Sequence, residues 1–177
     1  IEMSVQPPPV DGFELATETL FIGAGAGGLI AALSAQAAGQ EVLVLEADAV
    51  PSGSTALSAG LIPAPGTKAQ KSAGIEDSAA LFAADIMRKA KGGNEPALVA
   101  ALAEGAAEAI DWLTETHGLA FTVVDDFTYP GHSRRRMHGL PSRAGSDLIN
   151  ALRATAEAAS IPIVTERRVG TLFADPD

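Results

Sequence analysis

Apolar residues run unbroken over Leu20-Phe21-Ile22 and again over Val42-Leu43-Val44-Leu45, and an alanine- and glycine-rich stretch lies between them. Short apolar runs of this kind read as buried strands, and the alanine-rich stretch reads as the helix that connects them. A strand–helix–strand unit is predicted over about 17–46. Residues 47–75 carry Pro51, Gly53, Gly60, Pro63, Pro65 and Gly66 as punctuation and read as loop. Leu81, Phe82, Ile86 and Ala90 then share one face of a helix near 77–91. A second helix starts at Asn94-Glu-Pro, with Pro96 in the first turn, where its missing N–H costs nothing. Its expected buried stripe is Leu98, Leu102, Ala106, Ala109 and Leu113, and Gly118 is its expected stop. Ala120–Val124 reads as a strand and 125–144 as a polar loop. Residues 145–159 read as a helix with Leu148, Leu152 and Ala156 in register, and 161–165 and 169–173 as strands. Residues 1–14 are expected to form a flexible N-terminal arm.

The turn inside the first unit changes the picture most. Gly23, Gly25 and Gly28 give a G-x-G-x-x-G spacing, placed after a strand and opening a helix. Gly23 permits the tight turn, Gly25 lets backbone approach a pyrophosphate, and Gly28 lets helix and strand pack closely. The pyrophosphate of a dinucleotide then meets unpaired N–H groups at the helix N-terminus. Glu46 ends the second strand, where an acidic side chain accepts hydrogen bonds from a ribose.

Composition narrows the classes. The chain has 177 residues, 47% of them apolar and 5% aromatic, which suits close helix–sheet packing in one domain or one and a half. Its net charge of −10 argues against nucleic-acid binding, which needs a basic footprint. It has no cysteine, which excludes disulfides, thiolate metal sites and thiol catalysis within it. No apolar run is long enough to span a membrane, and the start is polar and proline-rich rather than a signal peptide. A cytoplasmic location is expected.

The segment Pro51-Ser-Gly-Ser-Thr-Ala-Leu-Ser-Ala-Gly-Leu-Ile-Pro-Ala resembles the flavin-facing loop of the fumarate reductase/succinate dehydrogenase flavoprotein family. Gly74-Ile-Glu-Asp-Ser, Gly93-Asn-Glu-Pro-Ala-Leu-Val and Ala107-Glu-Ala-Ile-Asp-Trp-Leu resemble that family's helical insert, here about 75–118. Met137-His-Gly-Leu-Pro and Gly145-Ser-Asp-Leu-Ile resemble its next loop and helix, and Arg167-Arg-Val169 its adenine turn. The likeness runs from about residue 17 onward and is nearest the soluble fumarate reductase and ketosteroid dehydrogenase branch. It implies an α/β fold: a Rossmann-like FAD-binding domain with a glutathione-reductase-type parallel sheet and a helical insertion, over 15–177.

The resemblance also implies roles. Gly23, Ala24, Gly25, Gly27 and Gly28 are expected at the FAD pyrophosphate, and Glu46 with Ala47 at the ribose. Ser52, Gly53, Ser54 and Thr55 are expected at phosphate or ribityl oxygens, and Ala59, Gly60 and Leu61 at the ring edge. Val169 is expected to meet the adenine by its main chain. Ser52 stands for the first glycine of the family's loop doublet and Leu61 for the second glycine of its Ala-Gly-Gly. Some relatives attach FAD through a histidine where Ser54 stands here, so noncovalent FAD is expected. The implied activity is hydride transfer to or from a carbon–carbon bond of a small organic acid or ketosteroid-like substrate. The family's capping domain and catalytic residues come later in its sequences. The chain is therefore expected to be the N-terminal part of a longer flavoprotein, with a separate C-terminal portion as partner and no catalytic residue of its own. Two other readings stand beside this one: a non-catalytic flavin-binding module, and an NAD(P)-binding Rossmann domain of a dehydrogenase.

Other chemistry-bearing residues read more plainly. Arg134-Arg-Arg136 with His132 and His138 has the composition of an anion site, but a charge run is usually a solvated loop face. His117, next to Gly118, suits a helix C-terminus. Asp125-Asp126 reads as a turn rather than a metal pair, and Trp112 as core.

Overall fold

The computed structural model describes residues 5–175. In chain order the elements are β1 (Val5–Gln6), β2 (Thr19–Ile22), α1 (Ala26–Ala37), β3 (Val42–Leu45), α2 (Gly53–Ala56) and β4 (Ile62–Pro63). There follow α3 (Lys68–Ser72), α4 (Ala79–Lys89), α5 (Pro96–Glu115), β5 (Thr122–Val123) and β6 (Met137–Gly139). The last are α6 (Gly145–Ala158), β7 (Ile163–Val164) and β8 (Leu172–Phe173). The described residues divide into two compact units, the first up to residue 57 and again from residue 148, the second 58–147.

The first unit is built on a parallel sheet of order β2-β3-β7. Phe21 pairs with Val44, and Val44 with Ile163 on its other side. Parallel strands need a crossover, and α1 supplies it, packing on both β2 and β3. Leu29, Ala32 and Leu33 of the helix and Val42 and Val44 of the sheet are buried, as are Leu148, Leu152 and Ala156 of α6. The strand–helix–strand unit and the register of α6 follow the sequence expectation closely.

Three expectations are corrected. Val5–Gln6, placed in a flexible arm, pair in parallel with Leu172–Phe173, and the Phe13 and Phe173 rings meet with centroids 5.5 Å apart. Backbone pairing and this ring contact hold the segment, while Val5 and Phe13 stay 65% and 63% exposed; the first four residues of the expected arm lie outside the described ones. The last two strands are also shorter than expected, and β8 pairs with β1 rather than joining the sheet of β2. Glu166, at φ +57°, turns the chain away between them. Finally, the expected loop 47–75 contains the short helices α2 and α3.

In the second unit, α4 packs on α5 beside an antiparallel sheet of order β4-β6-β5. Ser78 caps α4 by accepting the Leu81 N–H at 3.2 Å. At the end of α5, Leu119 N–H donates to the Leu113 carbonyl and Gly118 N–H to that of Thr114. With Gly118 at φ +70°, the Gly118-to-Thr114 bond makes this an αL stop. The buried face of α5 is Val99, Ala103, Ile110 and Leu113, whereas Leu98 and Leu102 are 71% and 55% exposed. The expected stripe was therefore turned by about one residue. Alanines make α5 apolar around most of its girth, so the pattern alone does not select a face. A face with Ala103 at its centre also allows closer approach to α4 than one with Leu102.

Candidate functional site

Strand β2 runs straight into the glycine turn. Gly23 takes φ +99°, a left-handed value that an L side chain rarely adopts, and its N–H donates to the Leu45 carbonyl at 2.7 Å. A Cβ on Gly28 would stand 2.0 Å from the Gly23 carbonyl oxygen, so the close helix–strand approach demands glycine there. Gly25 differs in kind. It is the N-cap of α1 with ordinary extended backbone, and a Cβ on it would meet only Thr55 Oγ1, at 3.8 Å. Gly25 has no side chain to cap α1, no acidic residue stands in its first turn, and Thr55 Oγ1 accepts the Ala26 N–H. Its N-terminal N–H groups are therefore presented with the positive end of the helix dipole.

Glu46 and Thr55 complete this group. The Ala24 N–H donates to Glu46 Oε2 at 2.7 Å and the Asp48 N–H to Oε1 at 3.0 Å, while the Ala26 N–H donates to Thr55 Oγ1 at 3.1 Å. Partial burial raises the Glu46 pKa. The N–H donors of Asp48, Ala24 and Ala47 and the charge of Arg168 outweigh it, and the carboxyl lies below its usual range. Gly23–Gly28, Glu46 and Thr55 are thus brought together in the first unit. Ser52, Gly53 and Ser54 lie at and within α2, with Ser52 and Ser54 exposed and Gly53 at φ +51°. Val169 is half-buried between β7 and β8.

Ala59, Gly60 and Leu61 belong to the second unit. Gly60 is buried at φ +61°, and a Cβ on it would approach the Ala144 carbonyl oxygen to 3.0 Å. Leu61 Cδ2 occupies the space of a side chain at Gly139, lying 2.6 Å from where that Cβ would stand. The glycine that the family pattern has at position 61 is thus replaced by a leucine seated over another glycine.

The same unit holds a buried polar network that the sequence reading missed. Arg136, expected on a solvated loop face, is fully buried. It grips Asp77 with two hydrogen bonds of 2.8 and 2.9 Å and Asp85 with one of 2.6 Å, and its guanidinium lies 4.8 Å from the Phe82 ring centroid. Burial opposes its charge, but the two carboxylates win and its pKa is raised. Asp85 also accepts from Ser133 N–H, Ser133 Oγ and Arg88. Burial alone would raise the Asp85 pKa; these donors hold it far below the usual carboxylate range. His138 Nδ1 lies 3.0 Å from the Arg136 carbonyl, which can only accept, so Nδ1 carries the proton and Nε2 accepts from Thr67 Oγ1 at 2.8 Å. Burial pushes the His138 pKa down. Thr67 Oγ1 accepts the Gln70 N–H, and Gln70 Nε2 donates to Asp77 and to the Arg135 carbonyl. Two signals for this network stood in the sequence: the Thr67-x-x-Gln70 capping spacing and the alternation of Arg136 and His138 about Met137.

Residues 18–177 match the FAD binding domain family. The chain belongs to that family. This FAD binding domain is 34% identical over 165 residues to a probable fumarate reductase, Ifc3, of Shewanella frigidimarina, an alignment covering 91% of this chain and 27% of that protein. It is 34% identical to a urocanate reductase of Eggerthella lenta over 85% of this chain and 25% of the relative. Among solved structures, a flavocytochrome c3 fumarate reductase in an open conformation superposes with a TM-score of 0.80 at 31% identity, over 90% of this chain and 28% of that one. A 3-ketosteroid dehydrogenase from Rhodococcus jostii shares the fold, with a TM-score of 0.79 at 23% identity over 97% of this chain and 43% of that one. The resemblance to fumarate reductase flavoproteins is borne out, and FAD is the cofactor of the family. The FAD binding domain spans about a quarter of the length of the curated relatives it matches. No helix among its described residues is long and apolar enough to cross a membrane.

Proposed function

We propose that this chain holds FAD in an oxidoreductase that moves a hydride to or from a carbon–carbon bond of a small organic acid or ketosteroid-like substrate. The Gly25 position carries the cofactor reading: a helix N-terminus with no N-cap side chain, whose backbone stands open where one would be. When bound, FAD supplies hydride transfer, and the protein supplies binding, orientation and electrostatics. Gly23, Ala24, Gly25, Gly27 and Gly28 are assigned to the pyrophosphate, with first-turn N–H groups donating to its oxygens. Glu46, whose lowered pKa keeps it ionised, and Ala47 are assigned to the ribose. Ser52, Gly53, Ser54 and Thr55 take phosphate or ribityl oxygens, Ala59, Gly60 and Leu61 the ring edge, and Val169 the adenine. Ser54 stands where some relatives carry a linking histidine, which supports noncovalent binding. The likeness to reductases of fumarate and of urocanate supports an unsaturated acid as substrate. Proton transfer is assigned to no residue of this chain.

Replacing Gly25 tests the reading. Its backbone angles suit any residue, so Gly25→Val is expected to fold and melt like the parent while filling the space meant for the pyrophosphate. Titrating FAD into full-length protein should give a saturable change in flavin absorption with the parent and none with Gly25→Val. Equal binding by the two would remove this site from the account.

A further inference from the structure

We propose that Arg136 is a positioning residue for the segment Ser58–Ala64: by locking strand β6 from behind, it fixes the backbone expected at the flavin ring edge. This rests on the FAD reading above and adds a residue to it that touches no cofactor.

Bonds run outward from Arg136 in two directions. Its side chain is held by Asp77 and Asp85 with no exposure to solvent on any of the three side chains beyond 1%. Its main-chain carbonyl meanwhile accepts the Ala64 N–H at 2.8 Å and the His138 ring N–H at 3.0 Å. One residue thus ties the buried ion cluster to both the segment and the strand beside it. Strand β6 continues the grip: His138 pairs with Ile62 and Met137 with Pro63, and Leu61 lies over Gly139. The other end is tied as well. The Gly145 N–H donates to the Ser58 carbonyl at 2.9 Å, the Gly60 N–H to Ser58 Oγ at 3.0 Å, and Gly60 abuts Ala144.

Stability alone does not account for such a cluster. A buried ion pair is weak support for folding, because well-packed apolar residues of the same volume do as well or better. What a bidentate guanidinium adds is direction, since its planar fork donates to the carboxylates in one arrangement only. Direction matters here because Gly60 and Leu61 are built to a tolerance that a single Cβ would violate.

The test uses full-length protein and two substitutions. Arg136→Lys keeps the charge and loses the fork. Gly139→Ala leaves the ion cluster whole and displaces Leu61 directly. Both are expected to weaken FAD binding about ten-fold, the scale of one misplaced hydrogen-bonded contact. Both are also expected to change the visible circular dichroism of the bound flavin in the same sense, a signature that a mere loss of stability leaves unmoved. Lower melting temperatures with unchanged FAD affinity and unchanged flavin dichroism would overturn the proposal. If Arg136→Lys does not fold, Gly139→Ala decides: an unchanged signature there overturns it too. Parent protein that binds no FAD would instead overturn the FAD reading on which the proposal rests.

Discussion

Gly23, Gly25 and Gly28 share a motif but answer to different forces. Gly28 is fixed by contact, with no room for a Cβ, and Gly23 by its positive φ. Gly25 is fixed by neither, which is why its openness points to a ligand. Gly28→Ala should therefore lose stability, as a marked drop in melting temperature without any ligand present, whereas Gly25→Val should lose FAD alone. Thermal melts of the two apo variants check this; equal destabilisation would show that Gly25 is a packing residue as well. Glu46 makes a second prediction. Its pKa is lowered in the folded protein, so its contribution is present above the usual value of 4.5 and is lost as pH falls through the folded value. Glu46→Gln should flatten the fall in stability below pH 4.5 and weaken FAD binding, readable in acid melts and in FAD titration. The motif was legible because backbone needs leave glycines in sequence. The burial of Arg136 was not, because partners at Asp77 and Asp85 lie far off in the chain and composition marks them only as charged.

At the scale of elements, helix α5 is the instructive case. Its limits were legible from Pro96 and Gly118, since both act through local backbone geometry. Its orientation was not, because alanine on most sides leaves the choice of face to tertiary packing against α4. Two substitutions separate the faces. Ile110→Ala should destabilise by about 2–5 kcal/mol through a core cavity. Leu102→Gln, on the exposed stripe, should stay within about 0.5 kcal/mol. Denaturant melts of both variants test the observed face; the reverse order would restore the face that the leucines suggested. Beyond β2 and β3, strands were less legible than helices. β7 and β8 are two residues each, and between them stands a positive-φ Glu166 that no pattern marks.

For the molecule as a whole, acid should act chiefly through the 58–147 unit. His138 is neutral and held below the ordinary 6.5, as is His132 through burial and the charge of Arg136, while Asp85 is held below 3.8. A lowered histidine pKa means that the unfolded chain takes up a proton first. Stability is therefore full above about pH 6.5 and declines as pH falls, with a further decline below 3.8 as Asp85 is protonated. His138→Gln should make the first decline shallower without removing it, because His132 remains. Melting temperature against pH for parent and variant reads this directly, and identical slopes would place His138 outside the linkage. Removing Asp85 altogether, as Asp85→Ala, should cost about 3–5 kcal/mol by leaving Arg136 half-compensated in the interior.

The central claim is that this chain's glycine turn holds FAD without a covalent bond. The direct measurement is a visible absorption spectrum of purified full-length protein, followed by denaturation and filtration to see where the flavin goes. The account predicts flavin bands before denaturation and about one FAD per chain released into the filtrate. Flavin retained on the denatured chain would contradict noncovalent binding. A colourless protein that takes up no added FAD would contradict the assignment of this site to the cofactor.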